Sequence, residues 1–507
     1  MTTIEARGRI CPICRRHFAD GDVCPEDGGR LVPALPRAGS QHPVPAESPA
    51  PPEMFPHVRA PRKRAWAAWT ATLALAAGVV AIARCDPHDG ASPGHHGAAA
   101  AAPAAAALAA PPSREPPPPP APPPPAAPAE TAVQGVTDAE IRLGMVGAFS
   151  GSHKEYGRQM KLGLEVAFQS QNDAGGVHGR RLRLFPVDDG YEPARTLGAM
   201  QELCDGQHVF GYVGNLGTPT AAVALPFALE RKMLFFGAFS GASLLRRDPP
   251  DRYVFNYRAS YAEETGALVK YLVKLRHLRP QQIAVFAQED AFGDAGVAGV
   301  AKAMRNLGAD ARLVQRIGYK RNTVDVADAV AAVARSLGRS VPLRAVVMVA
   351  TSRAAAKFIE KVRDLNPSMI FTTGSYVDSS ALAEELSLLG ARYAGGVVVT
   401  QVVPAVDGHS TTILNYRAAL AKYAPEEKPD YISLEAYLTA KLLIEGLRRA
   451  GRRLDTEKLV DALESIRDLD VGIGTVVNLG PDEHQGSHKV WGTELDEAGR
   501  YRAIELE

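Results

Sequence analysis

The chain has 507 residues, 46% of them apolar, and 57 basic against 56 acidic side chains give a formal net charge of +1. That length exceeds what one hydrophobic core usually organises, so more than one domain is expected. The even balance excludes a global electrostatic drive toward nucleic acid.

Residues 1–32 hold three of the five cysteines, as Cys11-Pro-Ile-Cys14 and then Cys24-Pro-Glu-Asp27-Gly28. A Cys-x-x-Cys knuckle followed by a Cys-Pro turn presents thiolates to one structural zinc ion in tetrahedral geometry. Asp27 stands where a second knuckle would place its cysteine, and His17 is the other candidate for the fourth ligand. The segment resembles the small zinc ribbons that head some bacterial membrane and signalling proteins, with the pattern CPxC…CPxDG. An unmetallated, disordered tail is the competing reading. Cys85 and Cys204 are isolated, and Cys204 reads as a small buried residue on a helix.

Residues 33–64 are rich in proline and basic groups, which predicts disorder. Residues 65–84 are expected to form a transmembrane helix. Nineteen consecutive positions, 65–83, carry no charge. At 1.5 Å per residue they would span roughly 28 Å, close to the hydrocarbon thickness of a bilayer. Trp66 and Trp69 suit the interface, and Arg59, Arg62, Lys63 and Arg64 outweigh Arg84 on the other side. That asymmetry predicts a cytoplasmic N-terminus and an extracytoplasmic C-terminal part. Residues 1–64 precede the apolar run, which favours an uncleaved signal anchor over a removed signal peptide. An Ala-rich buried helix is the bland alternative. A reducing cytoplasm suits metal binding by the first cysteines better than a disulfide. Residues 85–135, mostly Ala and Pro, cannot bury enough surface to fold and are expected to form an extended linker.

From 136 to 507 the patterning is globular. Strands are expected at 141–149, 182–187, 209–213, 233–236, 283–287, 310–315, 345–350, 369–372 and 396–402, with helices at 155–174, 193–205 and between most of the others. Repeated βα units predict an α/β fold with parallel sheet and helices on both faces. Roughly 370 residues is too much for one such core, so two lobes are expected. The 209–213 strand runs into Gly214-Asn215-Leu216-Gly217-Thr218-Pro219-Thr220, and the 233–236 strand into Gly237-Ala238-Phe239-Ser240-Gly241. Ligands bind at the carboxyl ends of such strands, where glycines admit them and helix N-termini offer free N–H groups. Thr218 and Ser240 are therefore candidate donors. Gly-Ala-Phe-Ser-Gly also occurs at 147–151, which makes Ser150 a candidate on a neighbouring wall. Neither copy is a nucleophile elbow, because its serine is fourth rather than third, and no Walker loop or dinucleotide fingerprint is present. A binding protein rather than an enzyme is expected.

The runs IRLGMVGAFSG, AGGVHGRRLRLFPVDDGYEP, GNLGTPT, GAFSGASLLR, VFNYRASY, IAVFAQEDAFG and GVVVTQVVP, in that order, cover 138–507. This part resembles the periplasmic solute-binding proteins of branched-chain amino acid (Leu/Ile/Val) ABC transporters. The resemblance implies the type I periplasmic-binding-protein fold, two Rossmann-like lobes joined by three crossovers near 258, 404 and 468. Lobe 1 would then be 138–258 with 404–467, and lobe 2 259–403 with 468–507. It also implies that a ligand carboxylate is held by the Thr218 and Ser240 hydroxyls and a backbone donor at Ala238. Tyr156 would line the cleft and Phe292 would clamp from the second lobe.

Two positions depart from the amino-acid binders. Ser375 stands where they place a carboxylate for the ligand's ammonium, and Thr351 where they often carry a tyrosine. An ammonium buried without an anion costs several kcal/mol, so a zwitterion would need Glu289 or Asp290 instead. An amino acid, a carboxylate and an amide all stay open as ligands. Structural readings stand beside these: Thr218 as a helix cap, the acids at 188–189 capping the helix at 193, Arg246 and Arg247 as solvated surface, and 432–450 as core. The expected protein is anchored by one helix in the cytoplasmic membrane, and passes a small polar ligand to an ABC permease. A sensor that signals to a cytoplasmic partner through residues 1–64 is the rival reading.

Overall fold

In the computed structural model, residues 132–507 are described, together with three two-residue strands near the N-terminus. These strands, β1 (Arg9–Ile10), β2 (His17–Phe18) and β3 (Val32–Pro33), pair antiparallel in the order β2-β1-β3. Cys11, Cys14, Cys24 and Asp27, the apolar run 65–83 and residues 85–131 of the expected linker lie outside the described residues. Among the described residues, no helix is long and apolar enough to cross a membrane, and no group of three His, Cys, Asp or Glu side chains could hold a metal ion.

Lobe 1 is built on a five-stranded, all-parallel sheet of β4 (Glu140–Gly147), β5 (Arg181–Asp188), β6 (Gly211–Val213), β7 (Leu234–Phe236) and β8 (Val254–Phe255), ordered β5-β4-β6-β7-β8. Lobe 2 contains β9 (Ile283–Gln288), β10 (Gln315–Tyr319), β11 (Ala345–Val349), β12 (Ile370–Thr373) and β13 (Val397–Gln401), which run parallel. After a short hairpin, β14 (Leu469–Asp470) with β15 (Val476–Val477), the strands β16 (Trp491–Leu495) and β17 (Tyr501–Ile504) add antiparallel to its edge. The second sheet is ordered β10-β9-β11-β12-β13-β16-β17. β11, all of it buried as Ala-Val-Val-Met-Val, shows the unbroken apolar run of a parallel strand covered on both faces.

The helices between the lobe 1 strands are α1 (Lys154–Asp173), α2 (Pro193–Gln201) and α3 (Thr218–Glu230). Lobe 2 carries α4 (Tyr261–Lys270), α5 (Ala291–Asn306), α6 (Ala327–Leu337), α7 (Ser352–Leu365), α8 (Ser379–Leu389) and α9 (Ala391–Ala394). Then α10 (Thr411–Tyr423), α11 (Tyr431–Ala450) and α12 (Thr456–Glu464) return to lobe 1, where α11 packs its buried face along α1. Gly163 of α1 lies so close to α11 that an added Cβ would sit 2.0 Å from the Ser433 carbonyl oxygen.

Four expectations shift. The third crossover comes after Gln485 rather than near 468, because Val471, Ile473, Val477 and Leu479 are buried in the lobe 1 core and Gln485 bridges to Asn256. The strand expected at 310–315 begins at Gln315. Asp310 instead closes a turn by accepting the Arg312 N–H at 2.9 Å. The end of the expected linker belongs to lobe 1, where the Gln134 amide donates to the carbonyls of Cys204 (3.1 Å) and Val209 (3.0 Å). Arg246 is no solvated residue. Its guanidinium donates to the carbonyls of Ser240 (3.0 Å), Ala242 (3.2 Å) and Arg258 (3.0 Å) and to the Gln485 side chain (2.5 Å), so it ties the Ser240 loop to two of the crossovers.

Candidate functional site

The carboxyl ends of both sheets face one cleft. On the lobe 1 side, Gly217 caps α3 with a φ of +97°, and the Tyr191 ring lies where a Cβ would come within 2.4 Å. Only glycine tolerates that backbone beside that ring. Thr218 is the first helical residue rather than the cap, and its side chain makes no capping bond. Its hydroxyl, 1% exposed, instead meets Ser240 Oγ at 2.8 Å and Tyr261 Oη at 3.4 Å. Three hydroxyls from two lobes thus share one hydrogen-bonded cluster.

Around it is a small chamber of about 30 Å³, lined by His153, Tyr156, Tyr191, Leu216, Gly217, Thr218, Phe239, Tyr261, Phe292, Thr351 and Tyr376. Tyr261, Phe292 and Tyr376 pack edge to face, with centroids 5.7, 5.0 and 5.1 Å apart. The opposing wall sets Tyr156 against Phe239 at 6.3 Å and His153 against Tyr191 at 4.7 Å. No side chain lining the chamber is an acid, a lysine or an arginine. Burial pushes the His153 imidazole down to about 4, against an opposing hydrogen bond from Asn322, so the ring is neutral at physiological pH. An outer chamber of about 230 Å³ shares His153, Tyr156 and Thr351 and adds polar groups, among them Ser152, Asn322, Thr323, Ser352 and Arg353.

The lobes are held closed by contacts across the cleft. Tyr156 Oη donates to the Val377 carbonyl at 2.9 Å and accepts the Ser352 N–H at 3.1 Å. Gln288 Nε2 donates to Tyr191 Oη at 3.2 Å, while Glu192 accepts from Arg321 at 2.9 Å and from Asn322. Beneath the chamber, fully buried Arg258 on the first crossover faces Glu264 of lobe 2 (3.3 Å) and Glu435 of lobe 1 (3.6 Å), and its guanidinium stacks 4.6 Å from the Phe239 ring centroid. Burial pushes the Glu435 carboxyl up to about 7, with Arg258 pulling the other way.

Of the sequence-derived candidates, Tyr156, Thr218, Phe292 and Thr351 line the inner chamber. Ser240 lies one layer behind, wholly buried, and orients the Thr218 hydroxyl. Ala238 is buried and does not line it, its carbonyl taken by Ser240 N–H at 2.7 Å. Ser150 turns away and donates to Asp188 at 2.5 Å. Ser375 sits beneath the wall, its N–H given to Glu264 at 2.7 Å and its hydroxyl against Arg258. Neither Ser150 nor Ser240 has an imidazole partner. Asp188, although burial alone would raise it, is held down to about 2 by hydrogen bonds from Ser150, Phe149, Gly190 and Arg195. It clasps the 149–150 loop to its own, and Asp189 accepts the Thr196 hydroxyl at 2.8 Å, so both acids serve structure. The rings of His153, Tyr191, Phe239, Tyr261 and Tyr376 were not foreseen. Four of them stand inside the motifs DDGYEP, GAFSG, RASY and GSY, one or a few residues from the polar groups singled out.

The family described as periplasmic binding protein matches residues 140–500. A crystal structure of a possible leucine/isoleucine/valine-binding protein from Rhodopirellula baltica is 36% identical, with a TM-score of 0.68, and is covered over 99% of its chain and 75% of this one. A substrate-binding periplasmic protein from Ralstonia solanacearum, 24% identical with a TM-score of 0.65 over 72% of this chain and 100% of its own, shares the fold. Among curated proteins, the Leu/Ile/Val-binding protein homolog 3 of Brucella melitensis is 23% identical over 67% of this chain and 87% of its own length. The two-lobed α/β architecture, the interlobe cleft and this match over most of the globular part agree: the chain belongs to the periplasmic binding protein family.

Proposed function

We propose that the protein is a membrane-anchored extracytoplasmic solute-binding protein, which clamps a small polar ligand between its lobes and presents it to an ABC-type permease. The single observation that carries this reading is the chamber itself: a hydroxyl cluster and two ring-lined walls meet at the junction of two lobes joined by three crossovers. Closure would work as a hinge, with ligand contacts on both lobes favouring the closed form. The uncharged run 65–83 supports a single membrane anchor with a cytoplasmic N-terminus and a periplasmic binding domain. The pairing of β1 with β2 supports a zinc ribbon, since the connection between them contains Cys11 and Cys14; Cys24 and Asp27 or His17 would complete the set.

A sensing receptor is the second reading, favoured by the cysteine-bearing segment that such an anchor would put across the membrane from the binding domain. Reconstituting the full chain with a candidate permease tests the first reading, by ligand-dependent ATP hydrolysis. Binding of a cytoplasmic partner to residues 1–64 with no effect on any permease would favour the second. Screening the full chain by thermal shift against amino acids, carboxylates and amides tests binding itself, since a ligand that binds only the folded state raises the melting point.

A further inference from the structure

We propose that the cleft selects an aromatic monocarboxylate that lacks an ammonium group. This rests on the clamp reading above and narrows it to a ligand class.

No acid lines the chamber, and of the acids behind its lining Asp378, beyond Tyr156, keeps one carboxylate oxygen without a hydrogen-bond partner. Asp290 and Glu264 are already committed. Asp290 accepts the Phe292 N–H at 3.0 Å and the Gln288 amide at 2.8 Å, and pairs with Arg321 at 3.3 Å. Glu264 accepts the Ser375 N–H and the Thr400 hydroxyl, each at 2.7 Å, and pairs with Arg258. Glu289 is exposed and outside the lining. An ammonium sealed among these rings would be desolvated without an anion, an arrangement strongly disfavoured in a dry site.

An anion fares better. Thr218 presents a hydroxyl backed by those of Ser240 and Tyr261, at the start of a thirteen-residue helix whose first N–H groups have no intrahelical acceptor. Neutral donors and a helix start can hold one carboxylate without a side-chain counter-ion.

The rings define the rest of the guest. The walls stand so close that the chamber holds about 30 Å³, so any solute must part them. Among apolar groups of similar size, a flat ring, roughly 3.5 Å thick, needs the least parting and offers both face and edge to its neighbours. A branched aliphatic chain of similar size needs more room and gains no edge-to-face ring pairing.

Matched pairs that differ only at the ammonium test this by isothermal titration of the full chain. The probes are 3-phenylpropionate against phenylalanine, and 4-methylpentanoate against leucine. The proposal expects 3-phenylpropionate to bind at least tenfold tighter than phenylalanine, and tighter than 4-methylpentanoate. It further expects Thr218→Val to weaken 3-phenylpropionate at least tenfold while the ligand-free melting point stays within about 2 °C. Phenylalanine or leucine binding as tightly as its partner would overturn the ligand class and leave the clamp standing. Absence of binding by both carboxylates would overturn it equally, and the lobe-sealing experiment closing the Discussion judges the clamp on its own.

Discussion

The hydroxyl of Thr218 is placed by what it lacks as much as by what it touches. Gly217 takes the capping position, which leaves the threonine side chain free to line the chamber and meet Ser240 behind it. Ser240→Ala should therefore weaken binding less than Thr218→Val, because it removes an orienting partner and not the donor itself; titration of the two variants with one probe decides the order. His153 gives a second prediction. Its folded-state imidazole is pushed down to about 4 from an ordinary 6.5. Between those values the unfolded chain takes up a proton that the folded site refuses. The associated stability is thus fully present above about 6.5 and is lost as pH falls toward 4, by at most ~3 kcal/mol. His153→Gln should flatten that limb in urea melts at pH 7, 5.5 and 4.5. An unchanged pH slope would show that another group sets it.

At the level of elements, the loops matter more than the helices. Gly217→Ala would force a side chain onto positive φ and against the Tyr191 ring, so a loss of roughly 1–3 kcal/mol and a weakened cleft are expected together. Arg246 joins the Ser240 loop to the first and third crossovers through four hydrogen bonds. Arg246→Met keeps the aliphatic stem but leaves buried carbonyls unpaired, and denaturant unfolding should show about 2–3 kcal/mol of lost stability. The Arg246 role was not legible in the sequence, because an Arg-Arg pair in a polar loop reads as surface until the crossovers are known to pass beside it. The βα alternation was legible, since apolar strands such as 345–349 and 283–288 announce themselves by composition. Strand-end glycines mark the Thr218 and Ser240 hydroxyls, whereas of the rings lining the chamber only Tyr156 and Phe292 were singled out. A tyrosine or phenylalanine at a strand end looks like core until the facing lobe is in view.

For the whole molecule, the two-lobed plan followed from length and element order, whereas the crossover positions came only with the family resemblance. The third moved because the apolar positions of residues 471–479 do not say which lobe they join, and Val471, Ile473, Val477 and Leu479 pack into lobe 1. Lobe assignment depends on long-range packing, which no local pattern encodes. The polar contacts that hold the closed state include Tyr156 to Val377 and Ser352, Gln288 to Tyr191, and the Glu192 pairing with Arg321 and Asn322. Such a latch suits an equilibrium that a ligand can tip.

The most direct measurement seals the cleft. Glu192→Cys combined with Asn322→Cys places two thiols where side chains now meet across the lobes, with each single variant as the control for the native cysteines. The account predicts that the oxidised double variant, closed without a guest, loses its thermal shift with every solute that shifts the parent chain, and regains it on reduction. Undiminished binding in the sealed protein would contradict it, because the ligand would then be held somewhere other than between the lobes.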